Sequence, residues 1–101
     1  MDSKFSKRVF TIIKKIPKGN VATYTAVAKK AGKPKAYRAV GNILHANPHP
    51  IRVPCHRVVQ KTGDIGGYIF GKKKKIEILK KDGVKFDKHY IVSKESMLSS
   101  L

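Results

Sequence analysis

Glycine and proline interrupt this chain at short intervals, which limits it to short helices and very short strands. The 101 residues include eight glycines and five prolines. These residues end helices and strands, because glycine allows backbone conformations that other residues avoid and proline lacks the amide hydrogen-bond donor. No apolar stretch approaches the ~18 residues expected of a membrane span. The sequence therefore predicts a single small domain that is mainly α-helical with short β elements.

Apolar spacing and terminating residues predict four helices. They cover residues 5–16, 24–31, 35–46 and 72–81. The hydroxyl group of Thr23 is placed to cap the second helix. Gly32 is placed to end the second helix in a left-handed conformation, and Gly83 is placed to end the fourth helix. The run Lys72–Lys75 is expected to form a solvated basic face.

The second and third helices form a predicted helix-turn-helix, since a few residues that include a glycine join them. At about 100° per residue, one face of the third helix is apolar. That face carries Ala36, Val40, Ile43, Leu44 and Asn47. The opposite face carries Arg38, Asn42 and His45. An exposed polar face makes this the candidate DNA-reading helix.

Residues 49–71 lack helical periodicity. Val58-Val59 and Ile65 are predicted to be short strands around a turn at residues 61–64. Residues 84–92 are expected to form a short strand or an ordered segment. The domain is predicted to cover residues 1–92, and the Ser-rich residues 93–101 are expected to be a disordered tail.

Net charge is the strongest compositional signal. Lys and Arg total 23 against six acidic residues, which gives a net charge of +17. Such an excess attracts polyanions, and nucleic acid is the leading partner. An anionic membrane and a merely soluble Lys-rich surface are the alternatives. The absence of a signal-peptide pattern favours the cytoplasm or the chromosome.

The only cysteine, Cys55, is followed directly by His56 and Arg57. One cysteine cannot form an internal disulfide and suits a reducing compartment. A lone thiol is usually a small buried hydrophobe, but a nearby base and positive charge favour a reactive thiolate. A carboxylate would have to orient the imidazole, and chemistry alone does not choose among the six acidic residues. No metal site is expected, because the other histidines lack ligand spacing with the cysteine.

The segment Pro54-Cys55-His56-Arg57-Val58 resembles the active-site motif of the O6-alkylguanine-DNA alkyltransferases. The resemblance covers about residues 5–92, and further motifs match in order. They are Ile16-Pro17-Lys18-Gly19, Thr23-Tyr24, residues 34–41 (PKAYRAVG), Asn47-Pro48 and Gly66-Gly67-Tyr68. The resemblance implies a winged-helix-like domain that corresponds to the C-terminal, active-site and DNA-binding domain of the family. Members of the family often carry an additional N-terminal domain.

The resemblance implies catalytic roles for four residues. Cys55 accepts the alkyl group, and His56 is its base through a water molecule. Asp82 orients His56 at a position where the family usually carries glutamate, which is one methylene longer. Asn47 links the reading helix to the cysteine turn.

DNA contacts are also implied. Tyr24 pushes on the phosphate 3′ to the lesion, and Arg38 fills the gap that the flipped guanine leaves. Asn42 and His45 lie on the same reading face. Tyr37 departs from the family, which commonly has a small residue there, and the helical angle suggests that it packs sideways.

The guanine pocket is expected to be lined by Tyr24, Val58, Tyr68 and Ile69. Ile69 stands where a serine often follows the pocket tyrosine, so a side-chain hydroxyl is lost. No cofactor is expected. The implied partner is duplex DNA with an alkylated guanine, contacted in the minor groove without sequence preference by a monomer.

Three functions remain open at this point. The first is irreversible, single-turnover transfer of the alkyl group to Cys55. The second is lesion binding without transfer, as in the alkyltransferase-like proteins, which carry another residue at the cysteine position. The third is sequence-specific repression by the helix-turn-helix.

Overall fold

Four helices and a two-stranded sheet make up the part of the chain that the computed structural model describes, which is residues 3–49, 52–98 and 101. The helices are α1 Ser3–Lys14, α2 Tyr24–Lys30, α3 Tyr37–His45 and α4 Lys72–Asp82. The strands are β1 Ala22–Thr23 and β2 Val58–Val59. Each predicted helix is present, with each end within two residues of its predicted position. Within the described residues, no helix is long and apolar enough to cross a bilayer.

The main core forms where the apolar face of α1 meets the helix pair α2 and α3. The α1 side chains Phe5, Val9 and Ile13 are at most 1% exposed. They belong to one cluster with Val27, Ala28, Val40, Ile43 and Leu44. Complete burial of such a side chain stabilises a fold by about 1.5–3 kcal/mol. This core fixes the orientation of α3.

The helix-turn-helix is confirmed in its local details. Thr23 Oγ1 accepts a hydrogen bond from the backbone amide of Ala26 at 3.0 Å and so caps α2. Gly32 follows α2 with φ +94°, and its amide donates to the carbonyl of Lys29 at 3.1 Å. The predicted polar face of α3 is exposed, and its predicted apolar face is buried except for Ala36, which is half-buried.

The sheet differs from its prediction. β1 and β2 pair in parallel, with Ala22 opposite Val58 and Thr23 opposite Val59. A turn does follow β2, since the amide of Gln60 donates to the carbonyl of Asp64 at 2.8 Å. Ile65, however, is not a strand and buries its side chain in a second apolar cluster. The prediction of Ile65 as a strand is wrong because the partner of β2 comes from the segment before α2.

The C-terminal segment also differs from its prediction. The amide of Val21 donates to the carbonyl of Ser96, and the amide of Leu98 donates to the carbonyl of Val21, both at 2.9 Å. The prediction of a disordered tail is therefore wrong for residues 93–98, which include a 3-10 turn at Lys94–Ser96 and are hydrogen-bonded to Val21, the residue before β1, and to Lys85. Residues 99 and 100 of that predicted tail lie outside the described residues. Residues 84–92 are ordered, with an antiparallel bridge between Phe86 and Val92.

Ser96 should matter for stability because its hydroxyl accepts a hydrogen bond from the backbone amide of Lys85 at 2.8 Å. The side chain is 3% exposed, so Ser96→Ala leaves a buried donor unpaired. We expect a loss of about 1–3 kcal/mol in the free energy of unfolding, measured by urea denaturation. Ser93→Ala, at a partly exposed serine, is the matched control. Equal stability of the two variants would contradict this role of Ser96.

Candidate active site

Cys55 forms part of the wall of a pocket of about 380 Å³. It is the first residue of a 3-10 turn, Cys55–Arg57, that leads into β2, and it is 4% exposed. One side of the pocket is α3, through residues between Tyr37 and His45. The other side is Tyr24 and the loop between Gln60 and Ile69. The volume lies within the range of about 300–1,000 Å³ that is usual for small-molecule sites.

The structure brings most of the predicted site residues to this pocket and leaves some out. Besides Cys55, the predicted residues that line it are Tyr24, Arg38, His45, Tyr68 and Ile69. Asn42 is exposed on α3 but does not line the pocket. Val58 buries its side chain in the core, and the expectation that its backbone lines the guanine pocket stays a prediction. Asn47, His56 and Asp82 are not among the residues that line the pocket.

His56 and Asp82 form the predicted pair. The Nε2 atom of His56 is 2.9 Å from Asp82 Oδ2, and Arg57 Nε donates to the same oxygen at 3.1 Å. Because the carboxylate can only accept, the proton of the neutral imidazole is placed on Nε2 and the lone pair on Nδ1. Nδ1 is buried and has no hydrogen-bond partner among the described residues. This nitrogen is therefore available to accept a proton.

The shorter carboxylate reaches its target because the end of α4 approaches the rest of the fold closely. Asp82 is the last residue of α4, and Gly83 follows in the left-handed region at φ +92°. The backbone carbonyl of Asp82 would lie 3.1 Å from a Cβ atom placed on Gly19. Glycine at position 19, with φ +94°, permits this approach. The departure from glutamate thus leaves the contact with His56 intact.

The protonation states of the pair follow from burial and contact. Burial lowers the pKa of His56; Asp82 opposes this, but the pKa stays below its usual value. The imidazole is therefore neutral near pH 7. Burial acts to raise the pKa of Asp82, but the hydrogen bonds from His56 and Arg57 outweigh it and hold that pKa below its usual value. The carboxyl is therefore ionised.

Asn47 connects α3 to the cysteine turn, as predicted from the resemblance. Its Nδ2 donates to the carbonyl of Val53 at 3.0 Å, and its Oδ1 accepts from the amide of His49 at 2.9 Å. The side chain is buried, and both of its polar atoms are satisfied by backbone. These bonds close the loop that returns the chain from α3 to Cys55.

Lys75 is a functional residue that the sequence analysis missed. The prediction that Lys72–Lys75 is a solvated face is wrong for this side chain, which is fully buried. Its Nζ donates to the carbonyls of Val58 at 2.7 Å and Gly67 at 3.0 Å. A burial signal was present, because Lys75, Leu79 and Asp82 share the i, i+4, i+7 face of α4. Burial lowers the pKa of Lys75 to about 8, although Cys55 and Asp64 oppose the shift.

The thiol of Cys55 is protonated at rest. Burial raises its pKa, while a hydrogen bond from Asn47 and the charge of Lys75 act in the opposite direction without cancelling the effect. A nucleophilic thiolate at this site therefore needs a base. The neutral imidazole of His56, the next residue, is the base that the fold supplies.

Two tyrosines complete the pocket. The hydroxyl of Tyr68 is buried without a hydrogen-bond partner among the described residues, which is unusual for a polar atom and fits a site for a polar ligand. Burial, with the nearby Cys55, raises the pKa of Tyr24 to about 12. Gly66 lets the loop touch this ring, since a Cβ atom there would lie 3.2 Å from the Tyr24 hydroxyl oxygen.

No group of three or more His, Cys, Asp or Glu side chains that could hold a metal ion occurs in the described part of the chain.

Comparison with known proteins places this geometry in context. A family model described as the DNA-binding domain of 6-O-methylguanine DNA methyltransferase matches residues 4–84. A probable methylated-DNA–protein-cysteine methyltransferase of Acanthamoeba polyphaga mimivirus is 49% identical over 75 residues, which cover 74% of this chain and 50% of that protein. The chain spans about half the length of the curated relatives it matches.

Solved structures share the fold. Mycobacterium tuberculosis OGT in complex with DNA superposes with a TM-score of 0.77 at 36% identity, over 81% of this chain and 50% of that one. Schizosaccharomyces pombe Atl1 in complex with damaged DNA containing O6-carboxymethylguanine superposes with a TM-score of 0.83 at 24% identity. That match covers 98% of both chains and shows the fold alone.

Replacing the buried cation should make Cys55 less reactive. Lys75 lowers the pKa of the thiol, so Lys75→Met should raise that pKa and slow alkylation by iodoacetamide several-fold at pH 7.5. Lys74→Met is the control, because the Lys74 side chain is 55% exposed. The reaction is followed on folded protein, since the variant also leaves two carbonyls unpaired. An alkylation rate equal to that of the control would contradict the electrostatic role of Lys75.

Proposed function

The chain belongs to the 6-O-methylguanine DNA methyltransferase family, and we propose that it repairs DNA by moving the alkyl group from O6 of a damaged guanine to its own Cys55. One observation carries this proposal. Cys55 lies on a pocket wall directly before a neutral imidazole whose Nε2 is 2.9 Å from a carboxylate oxygen. An inert buried cysteine would have neither the pocket nor the oriented base.

The reaction follows from these groups. A water molecule carries the thiol proton of Cys55 to Nδ1 of His56, while Asp82 stabilises the imidazolium that forms. The sulfur lone pair then attacks the alkyl carbon, and the bond from that carbon to O6 breaks. The electrons of the broken bond stay with guanine, which takes up a proton. The thioether persists, so each protein molecule reacts once.

The pocket accepts guanine only when the base has left the helix stack, which costs a few kcal/mol. Arg38 is exposed at the pocket and is proposed to fill the space left by the flipped base. Tyr24 is proposed to press on the 3′ phosphate, while Asn42 and His45 contact the minor groove beside it. The net charge of +17 supports phosphate contacts that do not depend on sequence.

We also propose how the domain is used. It corresponds to the C-terminal, active-site domain of the longer relatives, and it binds DNA as a monomer without a cofactor. Its proposed location is the cytoplasm, in association with the chromosome that carries its substrate.

Lesion binding without transfer is the second candidate. The observation in its favour is the match to S. pombe ATL in complex with DNA, which is 26% identical with a TM-score of 0.77 over 98% of both chains. The cysteine argues against it, because alkyltransferase-like proteins carry another residue at that position.

The mass of the intact protein separates the candidates, including sequence-specific repression. After incubation with duplex DNA containing O6-methylguanine, we expect the protein to gain the mass of one methylene group. Cys55→Ser should show no gain, because the oxygen nucleophile is far weaker than a thiolate. Unmodified protein that still prefers the damaged duplex would favour lesion binding. Absence of any preference for the lesion would favour a repressor.

Asp82 should affect both the rate and its pH dependence. Asp82→Asn removes the negative charge that stabilises imidazolium, so we expect a loss of about 100-fold in the transfer rate, the lower end for general acid–base catalysis. Asp82 raises the pKa of His56, so its loss should move the acid limb of the pH–rate profile to lower pH.

Two further variants serve as references for Asp82. Asp82→Glu keeps a carboxylate and should retain most of the rate. Glu95→Gln makes the same charge change at an exposed residue and should behave as the parent protein. A lower rate in Asp82→Asn with an unshifted acid limb would show that Asp82 is only structural.

A further inference from the structure

The large hydrophobic side chains that the described residues expose are concentrated around one opening. Four such side chains are exposed: Tyr37, Ile69, Phe70 and Tyr90. Two of them, Tyr37 and Ile69, line the pocket of Cys55. Phe70 packs edge to face against the pocket residue Tyr68, with ring centroids 5.5 Å apart. On a surface this rich in lysine, an apolar rim marks the part that a ligand covers.

Tyr37 occupies a particular place on this rim. It is the first residue of α3, directly before Arg38, and 46% of its surface is exposed. The sideways packing expected from the helical angle stays a prediction, and the structure shows that the residue lines the pocket together with Arg38. An aromatic ring and a guanidinium group thus stand side by side at the pocket mouth.

We infer that Tyr37 is a second DNA-stacking residue, whose ring packs on a base next to the gap while Arg38 fills the gap itself. The inference rests on the proposed function, since a gap exists only when a guanine has been extruded. Extrusion leaves the faces of neighbouring bases without a stacking partner. An aromatic ring replaces that partner for any base, because every base has a π-face. The ring therefore suits a protein that repairs guanine in any sequence context.

The alternative place for the ring is against the alkylated guanine inside the pocket. The two placements differ in what they require of the substrate. A ring that stacks on DNA contributes nothing to the reaction of a free nucleobase. A ring that forms the pocket wall contributes equally to a free base and to DNA.

The first measurement compares transfer rates with two substrates, duplex DNA containing O6-methylguanine and the free base O6-benzylguanine. Tyr37→Ala should slow transfer from the duplex about tenfold, the size expected for one lost base–aromatic stack. Its rate with the free base should stay within about twofold of the parent, the ordinary scatter for a site without contact. Tyr37→Phe keeps the ring and should resemble the parent in both reactions. Tyr90→Ala is the matched control, because Tyr90 is 48% exposed and does not line the pocket.

The second measurement is independent of transfer. Cys55→Ser protein is titrated by fluorescence anisotropy with the O6-methylguanine duplex and with the undamaged duplex. Adding Tyr37→Ala should reduce the preference for the damaged duplex about tenfold, while adding Tyr90→Ala should not change it.

The outcomes distinguish a failure of the stacking role of Tyr37 from a failure of the proposed function. An unchanged lesion preference in the Tyr37→Ala protein overturns the stacking role. An equal loss of rate with the free base also overturns it and places Tyr37 in the pocket wall. Failure of the parent protein to react with either substrate instead overturns the proposed function, and the titration then decides the role of Tyr37 alone.

Discussion

Both the fold and the candidate active site depend on the hydrogen bonds that the carboxylate of Asp82 accepts. The carboxylate accepts hydrogen bonds from His56 Nε2 and Arg57 Nε. Arg57 Nη1 also donates a hydrogen bond to the carbonyl of Ile16 at 2.9 Å. The ends of α1 and α4 and the turn that carries Cys55 are thereby joined through one ion pair. Because the same oxygen selects the protonated nitrogen of His56, the contact that holds the turn also sets its chemistry. The position of the turn and the protonation of His56 therefore depend on the same carboxylate.

The ammonium group of Lys75 is buried and bonded to backbone carbonyls, unlike the exposed lysines of the surface. A buried charge costs free energy unless it is well bonded, and Lys75 meets this cost with two carbonyl bonds and a position 5.8 Å from the Tyr24 ring centroid. It ties β2 to the loop that forms the pocket wall. It also moderates the effect of burial on the Cys55 thiol. The fold thus keeps one cation inside to stabilise a thiolate, while its excess outside serves long-range attraction.

Local sequence signals predicted the helices well, but they did not predict the contacts between segments that are far apart in the chain. The cap at Thr23, the left-handed Gly32 and the apolar face of α3 depend on neighbours within a few residues, so the sequence pattern contains them. The pairing of β1 with β2 joins segments far apart in the chain, and no two-residue strand has a pattern that specifies its partner. Lys75 was missed because a lysine that belongs to a run of lysines indicates a solvent-exposed side chain. Among six acidic residues, only the resemblance singled out Asp82, since chemistry does not encode which carboxylate reaches His56.

The charge distribution explains how one small domain can combine unspecific attraction with a selective site. Three of the six acidic residues form ion pairs in the described part of the chain, and one of them, Asp82, has a side chain that is only 9% exposed. The surplus of positive charge therefore remains on the surface, where it attracts phosphates along any sequence. At the pocket mouth the surface changes to aromatic and aliphatic groups, which gain only when bases are unstacked. We propose that attraction by charge brings the protein to DNA of any sequence and that the apolar rim stabilises the complex only where a base has left the stack.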